Sequence, residues 1–119
     1  MTDNVITTKS YSFALRIIKA YKYLTEEKKE FVLSKQLLRS GTSIGAMVRE
    51  SKFAQSKLDF INKLSVGLKE ANETLYWLDL LHDSDYIESG VYGSIRNDCD
   101  ELVAILAASV KTTKQTLNS

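Results

Sequence analysis

Apolar residues recur at steps of three and four along most of this chain, and the stretches that break the rhythm are short. The cleanest run is Ile61, Leu64, Leu68, Ala71, Leu75 and Leu78, stepping 3-4-3-4-3 in heptad fashion with Phe60, Trp77 and Leu81 beside the seam. It predicts a helix over about 57–82, buried on more than one side. Ser56-Lys57-Leu58-Asp59 fits a capping box at its start, a hydroxyl and a carboxylate each satisfying a backbone donor. His82-Asp83-Ser84-Asp85 ends it.

Three more helices follow from the same spacing. The first is expected over about 10–24, with Ala14, Ile17, Tyr21 and Leu24 in step, Leu15 and Ile18 widening the stripe, and Thr8 or Ser10 as its cap. Thr25 to Glu30 is a charged connection, and a second helix over about 31–53 buries Leu33, Leu37, Ile44 and Val48. The last runs over about 90–116 through Ile95, Cys99, Leu102, Leu106 and Val110. Short connections make successive helices antiparallel, so the chain reads as an all-α, single-domain, up-and-down four-helix bundle whose termini alone should fray.

Gly41 and Gly45 lie four residues apart on one face of the second helix. Each costs about 1 kcal/mol relative to alanine in a helix interior, so both are expected where another element approaches closely.

Composition supports this class: 119 residues suffice for one core, and zero prolines with five glycines leave the periodic segments uninterrupted. A single cysteine excludes an internal disulfide and a multi-cysteine zinc site. No signal-peptide pattern and no apolar run long enough to span a bilayer is present, so a soluble, cytoplasmic protein without membrane partners is expected. The net charge of +1 is unevenly laid out, with 11 Lys/Arg against 5 Asp/Glu in residues 1–57 and 5 against 10 in residues 58–119. These halves of +6 and −5 could pair across helices or between subunits, or the basic half could face an anionic partner.

Chemistry is sparse. His82 is the sole histidine, which excludes histidine-rich metal sites and reads as a helix-end residue. Cys99 lies on an apolar face and reads as an inert core thiol. Gly41-Thr42-Ser43-Ile44-Gly45 lacks both the lysine and the preceding strand of a phosphate-binding loop. No catalytic residue, cofactor or metal is therefore expected. Glu50, Glu70 and Glu73 are the one conceivable metal-binding carboxylate set, with a salt-bridge network as the plainer alternative. An enzyme built on them would require stoichiometric metal in the purified protein.

Arg39, Ser43 and Glu50 share a face beside the apolar stripe of the second helix. From there Arg39 could hold Glu70 or Glu73 of the third helix bidentately, in a structural polar network of Arg39, Ser43, Glu50, Glu70 and Glu73, or it could meet phosphate. Arg16, Lys19 and Lys22 recur every three residues among Tyr11, Tyr21 and Tyr23. Basic residues interleaved with aromatics suit a nucleic-acid backbone with exposed bases, and a solvated lysine face bordered by tyrosines is the alternative.

The order Tyr11-x-Phe13-Ala14, Ser34-x-Gln36-Leu37-x-Arg39-Ser40, Ser43-Ile44-Gly45-Ala46, Glu50, Lys57-x-Asp59-Phe60-x-x-Lys63-Leu64 and Glu70-x-x-Glu73-Thr74-x-Tyr76-Trp77-Leu78 resembles the 23S ribosomal RNA intervening-sequence protein family over about two thirds of the chain. The resemblance implies a left-handed up-and-down four-helix bundle assembling into a homopentamer. Members are encoded in insertions of bacterial ribosomal RNA genes or as free-standing genes, with a largely undefined role. A related branch, the accessory proteins of diversity-generating retroelements, binds nucleic acid and a reverse transcriptase through a basic pentameric surface. Two positions depart from the pattern: Met47 stands where an asparagine is usual, and Ser51 where glycine or alanine follows a small residue near Glu50.

Together these readings point to a non-enzymatic oligomer that docks RNA, DNA or a nucleic-acid enzyme, with Arg16, Lys19, Lys22 and Arg39 on phosphate. The alternative is a protein-binding scaffold that never touches nucleic acid. Phe60, Tyr76, Trp77 and Leu81 offer more apolar surface than one seam needs, and part of it is expected to face a neighbouring subunit.

Overall fold

A computed structural model describes residues 3–118, so the expected fraying at residues 1, 2 and 119 lies outside the described residues. Four helices follow one another, α1 (Asp3–Glu26), α2 (Leu33–Ser51), α3 (Lys57–Asp83) and α4 (Ser89–Asn118), and they form the expected all-α four-helix bundle. The molecule is a rod of 51 × 21 × 21 Å. Each helix packs against its neighbour in the chain, and α4 returns to α1 across the sparsest of the four seams.

α1 begins well before the expected start near Ser10. Ile6 is buried in register with Phe13, Ile17 and Leu24, which gives the first turns an apolar stripe of their own. Neither Thr8 nor Ser10 is the cap: both lie inside the helix, and Ser10 is buried with its hydroxyl donating to the Thr7 carbonyl at 3.3 Å. The stripe is also rotated from the expected one, because Phe13 fills the core while Leu15 and Ile18 face outward.

α2 is shorter than the expected 31–53, and Glu30 explains its start. The Glu30 carboxylate accepts from the backbone N–H groups of Ser34 at 2.7 Å, Leu33 at 3.0 Å and Val32 at 3.2 Å, satisfying donors that have no partner within the helix. Phe31, Val32 and Phe53 are left exposed outside α2. The chain enters this turn through Lys29 in the left-handed region at φ 56°, which lets the Glu30 N–H reach back to the Leu24 carbonyl at 2.9 Å.

The expected tight approach appears first at Gly41, where a Cβ would lie 2.8 Å from Cγ1 of Ile17 on α1. On α3 the Ser56 hydroxyl accepts from Asp59 N at 3.0 Å, and the Asp59 carboxylate reaches the N–H of Gln55 rather than that of Ser56. The centre of the α3 seam is displaced from Leu68 and Leu75, which are partly buried, to Gly67 and Thr74, which are fully so. Both positions face helix α2. Met47 packs over Gly67, and Thr74 Oγ1 lies 2.9 Å from the buried Ser40 hydroxyl and 2.8 Å from the Glu70 carbonyl. Leu81, expected beside the seam, is wholly buried in the bundle's own core.

Candidate nucleic-acid interface

Because Phe13, Ile17 and Leu24 turn inward, the opposite face of α1 presents Tyr11, Leu15, Ile18, Lys19, Lys22 and Tyr23 to solvent. Among the described residues Lys19 and Lys22 have no ion-pair partner. The Lys28 ammonium stands 6.0 Å from the centroid of the Tyr23 ring, at the outer limit of a cation–π contact. Arg16 is differently placed. Its Nη1 donates to Asp98 of α4 at 2.7 Å and to Ser94 Oγ at 3.0 Å, so its charge is directed across the α1–α4 seam. Lys9 pairs with Glu101 along the same seam.

Between the ends of α1 and α4 this seam opens into a groove of about 520 Å³. Ala20 and Val91 provide its apolar walls over a floor of the buried Leu24, Ile87 and Ile95, and Arg16, Lys19, Tyr23 and Glu88 form its polar and aromatic rim. Glu88 is held by accepting from the backbone N–H of Val91 at 2.7 Å, in the first turn of α4.

Arg39 points the other way, to the α2–α3 boundary. Its Nη1 donates to both Glu70 oxygens at 3.2 and 3.3 Å, and its Nη2 pairs with Glu73. Glu73 also accepts from Trp77 Nε1 at 3.0 Å, which ties the indole to the same cluster. Ser43 and Glu50 do not join it. The Ser43 hydroxyl donates to the Arg39 carbonyl at 2.6 Å within its own helix, and Glu50 faces Lys63 at 3.5 Å. Glu50, Glu70 and Glu73 therefore form no common carboxylate cluster, and no group of three or more His, Cys, Asp or Glu among the described residues is arranged to hold a metal ion.

One polar cluster has no counterpart in the sequence reading. Asp79 accepts from Tyr92 Oη and from Arg96 Nη1, both at 2.6 Å, joining α3 to α4. The hydrogen bond to the Asp79 carboxylate raises the Tyr92 pKa, because losing the proton would set two anions together. His82, in the last turn of α3, stacks on Tyr92 with ring centroids 4.1 Å apart. Its ring nitrogens lie 3.0 Å from Asp83 and 3.1 Å from Ser89. The i, i+4 spacing of Tyr92 and Arg96 was a visible signal, but their shared partner depends on the α3–α4 register. Cys99 is fully buried, and burial followed by the nearby Asp100 charge pushes its thiol up to about 12, far from a nucleophile's range.

No helix among the described residues is long and apolar enough to cross a membrane. The family model of the 23S rRNA-intervening sequence protein matches residues 2–108. A crystal structure of a protein of unknown function from the S23 ribosomal protein family of Bacteroides thetaiotaomicron is 57% identical, with a TM-score of 0.92 over 93% of this chain and 99% of that chain. No protein of curated function matches.

Proposed function

Since the chain belongs to the 23S rRNA-intervening sequence protein family, whose matched structural relative is of unknown function, we propose from its own surface that it is a non-enzymatic helical-bundle protein that binds nucleic-acid phosphates through the outer face of α1. The observation that carries this reading is the pair of exposed, unpaired cations Lys19 and Lys22 on the same face as Tyr11 and bordered by Tyr23. Arg16 and Arg39 enter differently from the lysines. Their carboxylate partners already offset their charge, so Arg16 fixes α1 on α4, Arg39 fixes α2 on α3, and each is a secondary phosphate ligand at most. With a net charge of +1 per chain, affinity depends on this local clustering and not on the overall field.

Fluorescence anisotropy of a labelled structured RNA and a matched DNA duplex, at low and physiological salt, tests the reading. Saturable binding that weakens with salt is expected, and Lys19→Glu with Lys22→Glu should lower the salt slope by about 1.5. Unchanged binding by that double variant would remove α1 from the contact.

A second reading, a homo-oligomeric or protein-binding scaffold in the cytoplasm, is favoured by one feature. Leu15 and Ile18 lie exposed on the same face of α1, and Tyr76 is 55% exposed on α3. The pentamer follows from the family resemblance alone. Light-scattering molar mass of the wild type against Leu15→Glu and Tyr76→Glu tests it, and an unchanged mass in both variants would count against these faces.

A further inference from the structure

We infer that the α1–α4 groove is a pocket for one unstacked base of a single-stranded nucleic acid, a role that rests on the proposed phosphate contacts of Lys19 and Lys22. Four observations converge on it. The groove's volume of about 520 Å³ lies within the range of small-ligand pockets and exceeds what a nucleobase occupies. Its apolar surfaces, Ala20 and Val91 among them, offer a base contact without competing hydrogen bonds.

Tyr23 and Val91 rise from opposite helices at the rim, each 45% exposed, so a flat ring entering between them gains a stacking partner on one side and a methyl surface on the other. Finally, the charges are laid out for a strand and not for a free base. Lys19 lines the groove and Lys22 lies one turn further along α1, both without a carboxylate partner, so the phosphates flanking an inserted base meet ammonium groups at and beyond the mouth.

Glu88 is the one acid lining the groove. Its Oε1 is already engaged by the Val91 N–H, which anchors it at the first turn of α4, and it forms no ion pair with Lys19. Arg16, neutralised by Asp98, serves as a wall of the pocket and not as a free cation. Duplex nucleic acid cannot use the site, because its bases are paired and stacked.

The experiment uses the full chain and a short oligouridylate carrying a single 2-aminopurine, compared with the same strand abasic at that position. Insertion should change 2-aminopurine emission on binding and make the intact strand bind about tenfold more tightly than the abasic one, the size expected for one stacked base. Two exposed substitutions probe the pocket itself: Val91→Trp fills the groove, and Tyr23→Ala removes the stacking surface. Each should abolish the emission change and erase the intact-over-abasic preference, and Val91→Trp should leave the salt slope, which reports Lys19 and Lys22, unaltered. Circular dichroism melts of both variants check that they fold as the wild type does.

Equal affinity for the intact and abasic strands would overturn the pocket and leave the phosphate reading standing. Retention of the preference in Val91→Trp would place the base elsewhere and likewise overturn it. Absence of binding to either strand at low salt would overturn both.

Discussion

Gly41 of α2 lies directly beneath Ile17 of α1, so close that a methyl group at Gly41 would stand 2.8 Å from one Ile17 carbon and 2.9 Å from another. Both residues are buried, and the branched isoleucine has little rotamer freedom with which to withdraw. Gly41→Ala is therefore expected to destabilise the bundle by about 1–3 kcal/mol despite alanine's better helix propensity. Gly93 gives the opposite sign: it is helical and exposed, nothing lies within 4 Å of its would-be Cβ, and Gly93→Ala should add about 1 kcal/mol. Urea titrations of both variants check the pair, and equal shifts of the same sign would refute the packing argument.

Glu30 links stability to pH. Burial alone would raise its pKa, but the N–H groups of Ser34, Leu33 and Val32 favour the carboxylate and bring the net value below its ordinary 4.5. A carboxyl lowered on folding contributes stability above its unfolded pKa and loses it as pH falls through the folded one. Glu30→Gln should cost about 1 kcal/mol at pH 7, and the gap between wild type and variant should close under acid conditions. Melting curves at neutral and acid pH read this directly; a gap that persists in strong acid would contradict it.

Cys99 should resist modification. With a thiol held near pKa 12 and no exposed surface, its reaction with an aromatic disulfide reagent at pH 8 should be limited by opening of the bundle. Labelling is expected to accelerate through the urea transition and not before it. Rapid labelling of native protein would show that the α3–α4 seam opens locally.

Lys29 adopts a left-handed φ of 56°, a conformation that costs a side-chain-bearing residue about 1 kcal/mol and glycine almost nothing. Lys29→Gly should therefore stabilise the protein by somewhat less than that amount, since glycine also gains entropy in the unfolded chain. Thermal melts decide it, and destabilisation would mean that the lysine makes a compensating contact.

Period and capping signals made the bundle legible: the α3 seam and the Ser56 cap stand close to where spacing alone puts them. Spacing failed where a small residue lets another helix close in. Gly67 and Thr74 hold the centre of the α3 interface because Met47 and Ser40 press on them, and hydrophobicity points instead to Leu68 and Leu75. The meeting of Arg39 with Glu70 and Glu73 was readable, since carboxylates three apart share a helix face opposite a boundary arginine. Arg16 looked like a free cation because its partner Asp98 comes 82 residues later, at a register that only the folded α1–α4 seam defines. The groove was invisible for the same reason.

The ion pairs Lys9–Glu101, Arg16–Asp98 and Arg39 with Glu70 and Glu73 join the basic first half of the chain to the acidic second half. Sequence order thus becomes an order in time. A chain emerging from the ribosome holds the residues of α1 and α2, with a net charge of +4 through Ser51, before the carboxylates that pair with them have been synthesised. Until α3 and α4 arrive, this half-protein is a cationic segment beside a polyanionic machine. Completion of the bundle then also neutralises it, as the carboxylates of α3 and α4 meet Lys9, Arg16 and Arg39.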